Sequence, residues 1–272
     1  MRLKRFNKIE RLFHIGLMIT FLIQAATGFS RLYIITTWGT RLSNLFGGYE
    51  TTLKIHFWVG MIMTAGFGVH VLYLLTKIKW DNLKDSIIGP DSIVPNHRDG
   101  IHMIQRGLWF FGLGSPPKID RWSYWEKFDY WAVFWGMPLL AVTGVMLKYP
   151  LLTTKILPGW FLNVLAIVHR AEAILAAAFI FFVHLFVGHL RPTIFPMSDA
   201  MFSGSVHLKE VEEEKPAWLE RLKKEDRLEE NVVKPPAFWF KVVYHFFGLS
   251  ALGFGVYLLV NGIYYSRYIR LH

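Results

Sequence analysis

Histidine carries the clearest chemical signal in this sequence. Of the eleven histidines among 272 residues, six lie inside or at the ends of long apolar segments: His14, His56, His70, His169, His184 and His245. A seventh, His189, closes the fourth of these segments. An ionisable side chain within a membrane is costly and normally faces the interior of a helix bundle, where it has a partner. A single such histidine is equally well explained by an interhelical hydrogen bond, but several at matched depths indicate a common ligand.

Five apolar segments must position these histidines: residues 12–30, 53–76, 129–148, 164–189 and 238–263. Each is close to the roughly 20 residues with which an α-helix crosses about 30 Å of hydrocarbon. Hydrophobic residues make up 53% of the chain, above the range of about 45–50% that is usual for soluble domains. The pattern predicts an all-α integral membrane helix bundle, with a four-helix core and a fifth transmembrane helix. The alternative is a fifth helix that lies at the periphery.

Basic residues are concentrated in alternate loops. Residues 1–11 carry five Lys and Arg and the loops 77–127 and 190–236 carry eight each, whereas 31–54 and 148–163 carry three and two. Because basic loops favour the cytoplasmic side, we predict a multi-pass membrane protein with a cytoplasmic N-terminus. The basic residues of these cytoplasmic loops also account for the net charge of +10. We therefore expect no nucleic-acid partner.

The first apolar segment does not resemble a cleavable signal peptide, and the lack of cysteine excludes several kinds of cofactor site. The segment ends in Thr27, Gly28 and Phe29 without a small-x-small cleavage site, so we expect it to be retained as a span. The chain has no cysteine, which excludes disulfides, thiolate metal sites, cysteine-bound iron–sulfur clusters and covalently attached haem.

The alternating direction of the spans sorts the histidines by depth. His56 and His169 fall in an outer tier, and His14, His70 and His184 fall in an inner tier. His169 and His184 are fifteen residues apart, which is about 22 Å along a helix and on approximately one face. The second span (His56 and His70) and the fourth span (His169 and His184) therefore each carry one histidine in each tier.

Haem iron explains paired histidines at two depths. The iron takes two axial ligands, and neutral imidazoles from facing helices supply them without burying charge. Zinc would require three or four ligands converging on one point, and a proton relay or cation transporter is weakly supported because the spans hold almost no acidic residue besides Glu172. The tiers predict two haem b groups. The outer ligands are His56 and His169, whereas spacing alone leaves either His14 or His70 as the inner partner of His184.

Several short motifs add a resemblance to a known family. They are Arg11-x-x-His14, Thr27-Gly28, His56-Phe57-Trp58-Val59-Gly60, Glu126-Lys127-Phe128, Thr143-Gly144-Val145 and the two histidines of the fourth span. Together these motifs cover roughly residues 5–210. In their order and spacing, they resemble those of the membrane cytochrome b subunits of formate dehydrogenase, Ni-Fe hydrogenase and thiosulfate reductase type enzymes. Gly60, one turn from His56, is expected to make room for a porphyrin, with ordinary helix packing as the alternative.

The resemblance implies a ligand set. One haem would be held by His56 and His169, and the other by His14 and His184. The sequence departs from the family pattern in the additional His70, in a spacing of fifteen rather than about fourteen within span four, and in the fifth span.

The resemblance also implies a location in a prokaryotic cytoplasmic (inner) membrane, and it implies redox partners. A membrane quinone would exchange electrons near the inner haem, with His189 as a contact. The primary redox chemistry would belong to a partner subunit with iron–sulfur or c-type haem centres, since we find no catalytic residue for it in this chain. The predicted function is a di-haem electron-transfer subunit of a larger oxidoreductase. The alternative is a transporter or an anchor subunit whose histidines are structural.

A linear domain organisation follows from these assignments. We predict a four-helix di-haem domain over residues 1–210, a cytoplasmic surface segment over 211–236, and a transmembrane helix with a C-terminal tail over 237–272. The Glu and Lys runs of 209–234 are typical of a solvated helix at the membrane surface.

Overall fold

The secondary structure is almost entirely helical, and the computed structural model describes residues 1–192 and 194–269. The α-helices are α1 (Lys8–Leu32), α2 (Thr37–Leu45), α3 (Tyr49–Leu75), α4 (Leu83–Ile88), α5 (His97–Phe110), α6 (Tyr124–Lys148), α7 (Pro150–Thr153), α8 (Phe161–Ala178), α9 (Leu185–His189), α10 (Ala200–Ser203), α11 (Leu208–Glu214), α12 (Pro216–Lys224) and α13 (Phe238–Tyr265). A π-helical turn, Phe179–His184, joins α8 to α9, and 3-10 turns span Glu229–Asn231 and Ser266–Tyr268. The strands are β1 (Arg2–Lys4), β2 (Ser205–His207) and β3 (Val232–Val233).

Five helical segments of the described chain are long and apolar enough to cross a membrane. They are α1, α3, α6, α8 continued to His189, and α13 continued to Tyr268. In hydrocarbon a chain satisfies its backbone N–H and C=O groups within a helix, so apolar runs of this length form single helices. The five segments match the predicted spans, and the predicted all-α membrane bundle is confirmed.

The chain folds into two compact units, each assembled from three stretches of sequence. The helical unit contains residues 12–70, residues 135–198, and the chain from Lys241 to the end of the described region. The sheet unit contains residues 1–11, 71–134 and 199–240. The predicted linear division into 1–210, 211–236 and 237–272 stays a prediction, and the last three residues of its C-terminal tail lie outside the described chain.

Within the helical unit, α13 packs closely against its neighbours. A Cβ atom added to Gly255 would lie 3.0 Å from side-chain atoms of both Phe181 and Leu185. The Tyr33 hydroxyl donates to the backbone carbonyl of Gly262 at 2.8 Å. The fifth helix is therefore an integral part of this unit's packing.

The sheet unit differs from its prediction at residues 209–234. This segment forms two short helices, α11 and α12, instead of one solvated helix. Trp218, Leu219 and Leu222 share one face of α12 and are buried with Leu3 of the central strand β1. The prediction was wrong because the charged residues dominate the composition of the segment and hide its apolar stripe.

Arg5 lies at the centre of a charged network in the sheet unit. Its guanidinium stacks over Trp122 at 4.3 Å and over Trp218 at 5.3 Å. It also pairs with Glu126 at 3.0 Å, and Lys215 pairs with the same carboxylate at 2.6 Å. Burial lowers the pKa of Lys215 to about 8. Both cations depend on Glu126 to offset their desolvation, and Arg5 is also stabilised by the aromatic rings.

Candidate functional site

The outer-tier histidines face each other across two helices of the helical unit. His56 belongs to α3 and His169 to α8. Their ring centroids are 6.4 Å apart and their planes are inclined at 75°. The two imidazoles are thus nearly perpendicular.

The inner-tier histidines His14 and His184 also face each other. His14 lies on α1, and His184 ends the π-helical turn. Their ring centroids are again 6.4 Å apart, but the planes are inclined at only 35°. His70, the other inner-tier residue, packs edge-to-face on Phe13 with centroids 4.7 Å apart.

The 6.4 Å separation matches two imidazoles that share one metal atom. An imidazole nitrogen lies about 2 Å from a first-row metal and the ring centroid about 1 Å further out, so two imidazoles on opposite sides have centroids roughly 6 Å apart. A direct hydrogen bond of about 3 Å between ring nitrogens would bring the centroids to roughly 5 Å. Both pairs therefore have the spacing of axial ligands.

Each pair supplies two of the ligands that a metal could take. In the part of the chain that the structure describes, no three His, Cys, Asp or Glu side chains form a group that could hold a metal ion. A zinc site built by the protein needs at least three such ligands. Two opposed imidazoles fit a haem, whose porphyrin supplies the four equatorial nitrogens.

Two threonines determine which ring nitrogen of each outer histidine carries the proton. The Thr27 hydroxyl lies 2.7 Å from the carbonyl of Ile23 and 2.8 Å from Nδ1 of His56. Its single proton goes to the carbonyl, which can only accept, so the hydroxyl oxygen accepts from Nδ1–H of His56. The Nε2 atom then keeps its lone pair, as an axial ligand requires.

The same arrangement recurs on α6. The Thr143 hydroxyl donates to the carbonyl of Leu139 at 2.7 Å and accepts from Nδ1 of His169 at 2.9 Å. In each case a glycine follows the threonine, and the imidazole edge lies against it. A Cβ on Gly28 would be 3.5 Å from Cε1 of His56, and one on Gly144 would be 3.3 Å from Cε1 of His169. The repeated Thr-Gly pair was the sequence signal for these positions, but sequence reasoning missed the hydrogen bonds.

Gln24 is a further neighbour of the outer pair that sequence reasoning missed. Its side-chain amide donates to the backbone carbonyl of His56 at 2.6 Å. A Cβ on Gly60 would lie 2.9 Å from the same amide nitrogen. In this structure Gln24 occupies the space beside Gly60, and the glycine allows α1 and α3 to approach each other closely. This arrangement corresponds to ordinary helix packing, which was the alternative to a role in making room for a porphyrin.

The π-helical turn accounts for the fifteen-residue spacing between His169 and His184. A π turn takes up one residue more than an α-helical turn. Each residue of an α-helix contributes about 100° of rotation, so absorbing one residue returns His184 to the direction that a fourteen-residue spacing would give. The departure from the family pattern in sequence is thus compensated in the helix geometry.

His189 has the opposite tautomer to the outer histidines. The backbone N–H of Ser198 donates to its Nδ1 at 3.2 Å, so the ring proton resides on Nε2. Its ring centroid lies 6.1 Å from that of His184. His189 therefore presents a hydrogen-bond donor next to the inner pair.

A family model described as prokaryotic cytochrome b561 matches residues 5–204, a range that contains both histidine pairs, His70 and His189. No curated protein matches the chain at a significant level.

Proposed function

Because the chain belongs to the prokaryotic cytochrome b561 family, and is therefore a multi-pass membrane b-type cytochrome that carries electrons, we propose that it holds two haem b groups. His56 and His169 would ligate the outer haem, and His14 and His184 the inner one. The observation that carries this proposal is the 6.4 Å ring separation of both pairs. When bound, the haems supply reversible one-electron chemistry at iron.

The residues of the chain provide neutral ligands at two depths. The two histidines of the fourth span are separated by roughly 20 Å along the helix axis, so a haem at each tier places one redox centre near each membrane surface. The basic loops support a cytoplasmic N-terminus, which would put the inner tier on the cytoplasmic side. Electrons would then cross the bilayer between the two pairs.

His14 is the better supported inner ligand. Its ring has the same separation from His184 that the outer rings have from each other. The ring of His70 contacts Phe13 edge-to-face, an arrangement typical of packing. The family likeness also favours the histidine of the first span.

A quinone and a redox subunit complete the proposed electron path. His189 would donate its Nε2–H to a quinone oxygen beside the inner haem and exchange a proton with it. The other end would receive a partner subunit with iron–sulfur or c-type haem centres, because the chain has no cysteine to hold either cofactor.

Haem stoichiometry tests the ligand assignment. Reduced-minus-oxidised and pyridine haemochrome spectra of the purified protein should give two b haems per chain. The His14→Ala variant should retain one haem and His70→Ala both. His245→Ala is the matched control, since this intramembrane histidine donates its Nδ1–H to the Lys241 carbonyl of its own helix at 2.8 Å. A full haem content in His14→Ala would refute the inner assignment.

Quinone kinetics test His189 separately. We expect His189→Ala to keep both haems but to slow their reduction by a quinol analogue and to weaken quinone binding. A normal quinone-binding constant in this variant would count against the proposed contact.

A further inference from the structure

We propose that Thr27 and Thr143 are positioning residues that hold the outer imidazoles crossed and lower the reduction potential of the haem they ligate. This inference rests on the proposed function, because it concerns the ligands of the outer haem. It assigns a role to two side chains that lie on helices other than those carrying the outer histidines.

The first step concerns electron donation. Each hydroxyl has its own proton committed to a carbonyl four residues earlier, at 2.7 Å in both cases, so it acts on the imidazole purely as an acceptor. A hydrogen bond from Nδ1–H makes the imidazole a more basic ligand. A more basic axial ligand stabilises ferric iron over ferrous iron and lowers the potential.

The second step concerns ring orientation. A threonine bonded back to its own helix has a fixed χ1 angle, so its oxygen is a fixed point on the helix surface. With Nδ1 bound to that point and Nε2 bound to iron, an imidazole has no freedom to rotate about the iron–nitrogen bond. The adjacent glycine lets the ring edge lie against the helix. The two threonines thus set the 75° angle of the outer pair.

The angle between the planes has a spectroscopic consequence. Parallel imidazole planes split the two iron d orbitals that interact with the ligand π systems, whereas crossed planes leave them nearly degenerate. A crossed pair therefore gives a highly anisotropic low-spin ferric signal in electron paramagnetic resonance, and a more parallel pair gives a rhombic one. We expect the first from the 75° outer pair and the second from the 35° inner pair.

The test is a set of threonine substitutions in the haem-loaded protein. In Thr27→Val and Thr143→Val, two haems should remain, the anisotropic signal should move toward a rhombic form, and the midpoint potential of one haem should rise while the other stays constant. Thr27→Ser and Thr143→Ser keep the hydroxyl and should resemble the wild type. Thr20→Val is the control, since Thr20 makes the same kind of bond, 2.8 Å to the carbonyl of Gly16.

The outcomes separate this inference from the proposed function. A wild-type protein with fewer than two haems would refute the proposed function itself. Two haems with unchanged spectra and potentials in both valine variants would overturn the inference alone. If valine causes loss of the outer haem, retention in the serine variants supports a role through the hydroxyl, whereas loss in the serine variants as well overturns it.

Discussion

The outer and inner histidine pairs have the same ring separation but are built differently. The outer pair joins two regular α-helices and is crossed at 75°, with a threonine at each Nδ1. The inner pair uses a histidine at the end of a π-helical turn, and its planes meet at 35°. The two pairs thus share one ring separation but differ in ring angle and in the local structure that carries them.

Removing a ligand from each pair should have the largest effect. We expect His169→Ala and His184→Ala each to lower the haem content from two per chain to one, because each variant lacks one of the two proposed ligands of its haem. The former should remove the anisotropic resonance signal and the latter the rhombic one. If both variants lost the same resonance signal, the two signals could not be assigned to different pairs.

Changing the length of the π-helical turn should affect the inner pair only. Inserting one alanine after Ile180 should rotate His184 by about 100° and remove the inner haem while the outer haem remains. Deleting Ile180 is the matched change, since the turn can revert to a regular α-helix and both haems should remain. Haem content and the resonance spectrum report both results, and loss of the outer haem in the insertion variant would contradict the expectation.

Crowding the contact between α1 and α3 should weaken the outer pair moderately. A methyl group at Gly60 would lie 2.9 Å from the Gln24 amide and should displace it from the His56 carbonyl, at a cost of about 1 kcal/mol for the lost hydrogen bond. Gly66→Ala is the control, because a Cβ there meets nothing within 4 Å. Both substitutions gain the helix propensity of alanine over glycine, so the lost hydrogen bond should show as a lower thermal unfolding midpoint of Gly60→Ala than of Gly66→Ala. Equal midpoints of the two variants would exclude this role for Gly60.

The smallest effect should come from the two glycines beside the outer imidazoles. Gly144→Ala places its Cβ 3.3 Å from the His169 ring, and Gly28→Ala places it 3.5 Å from the His56 ring. We therefore expect a slight change of the outer resonance signal in the first variant and almost none in the second. The inner signal should stay constant in both, and a larger change in Gly28→Ala would reverse the proposed order.

The sequence predicted the parts of this site that follow from the length and direction of each span and the positions of its histidines. Apolar runs located the five spans, and their alternating direction placed His56 with His169. The Thr27–His56 and Thr143–His169 hydrogen bonds join different helices, so no local pattern could show them. The π-helical turn was visible only as a spacing of fifteen. On α12, the buried Trp218 stripe was hidden by the surrounding charged residues.

The position of β1 has a consequence for synthesis. Arg2 donates to the hydroxyl of Ser205, a residue 203 positions later, and β1 pairs with both β2 and β3. The strand is therefore translated long before its partners, and it must wait while the first four membrane helices are inserted. The three-stranded sheet can form only after residue 233 has been translated. A complete sheet is therefore present only in chains whose synthesis has passed β3.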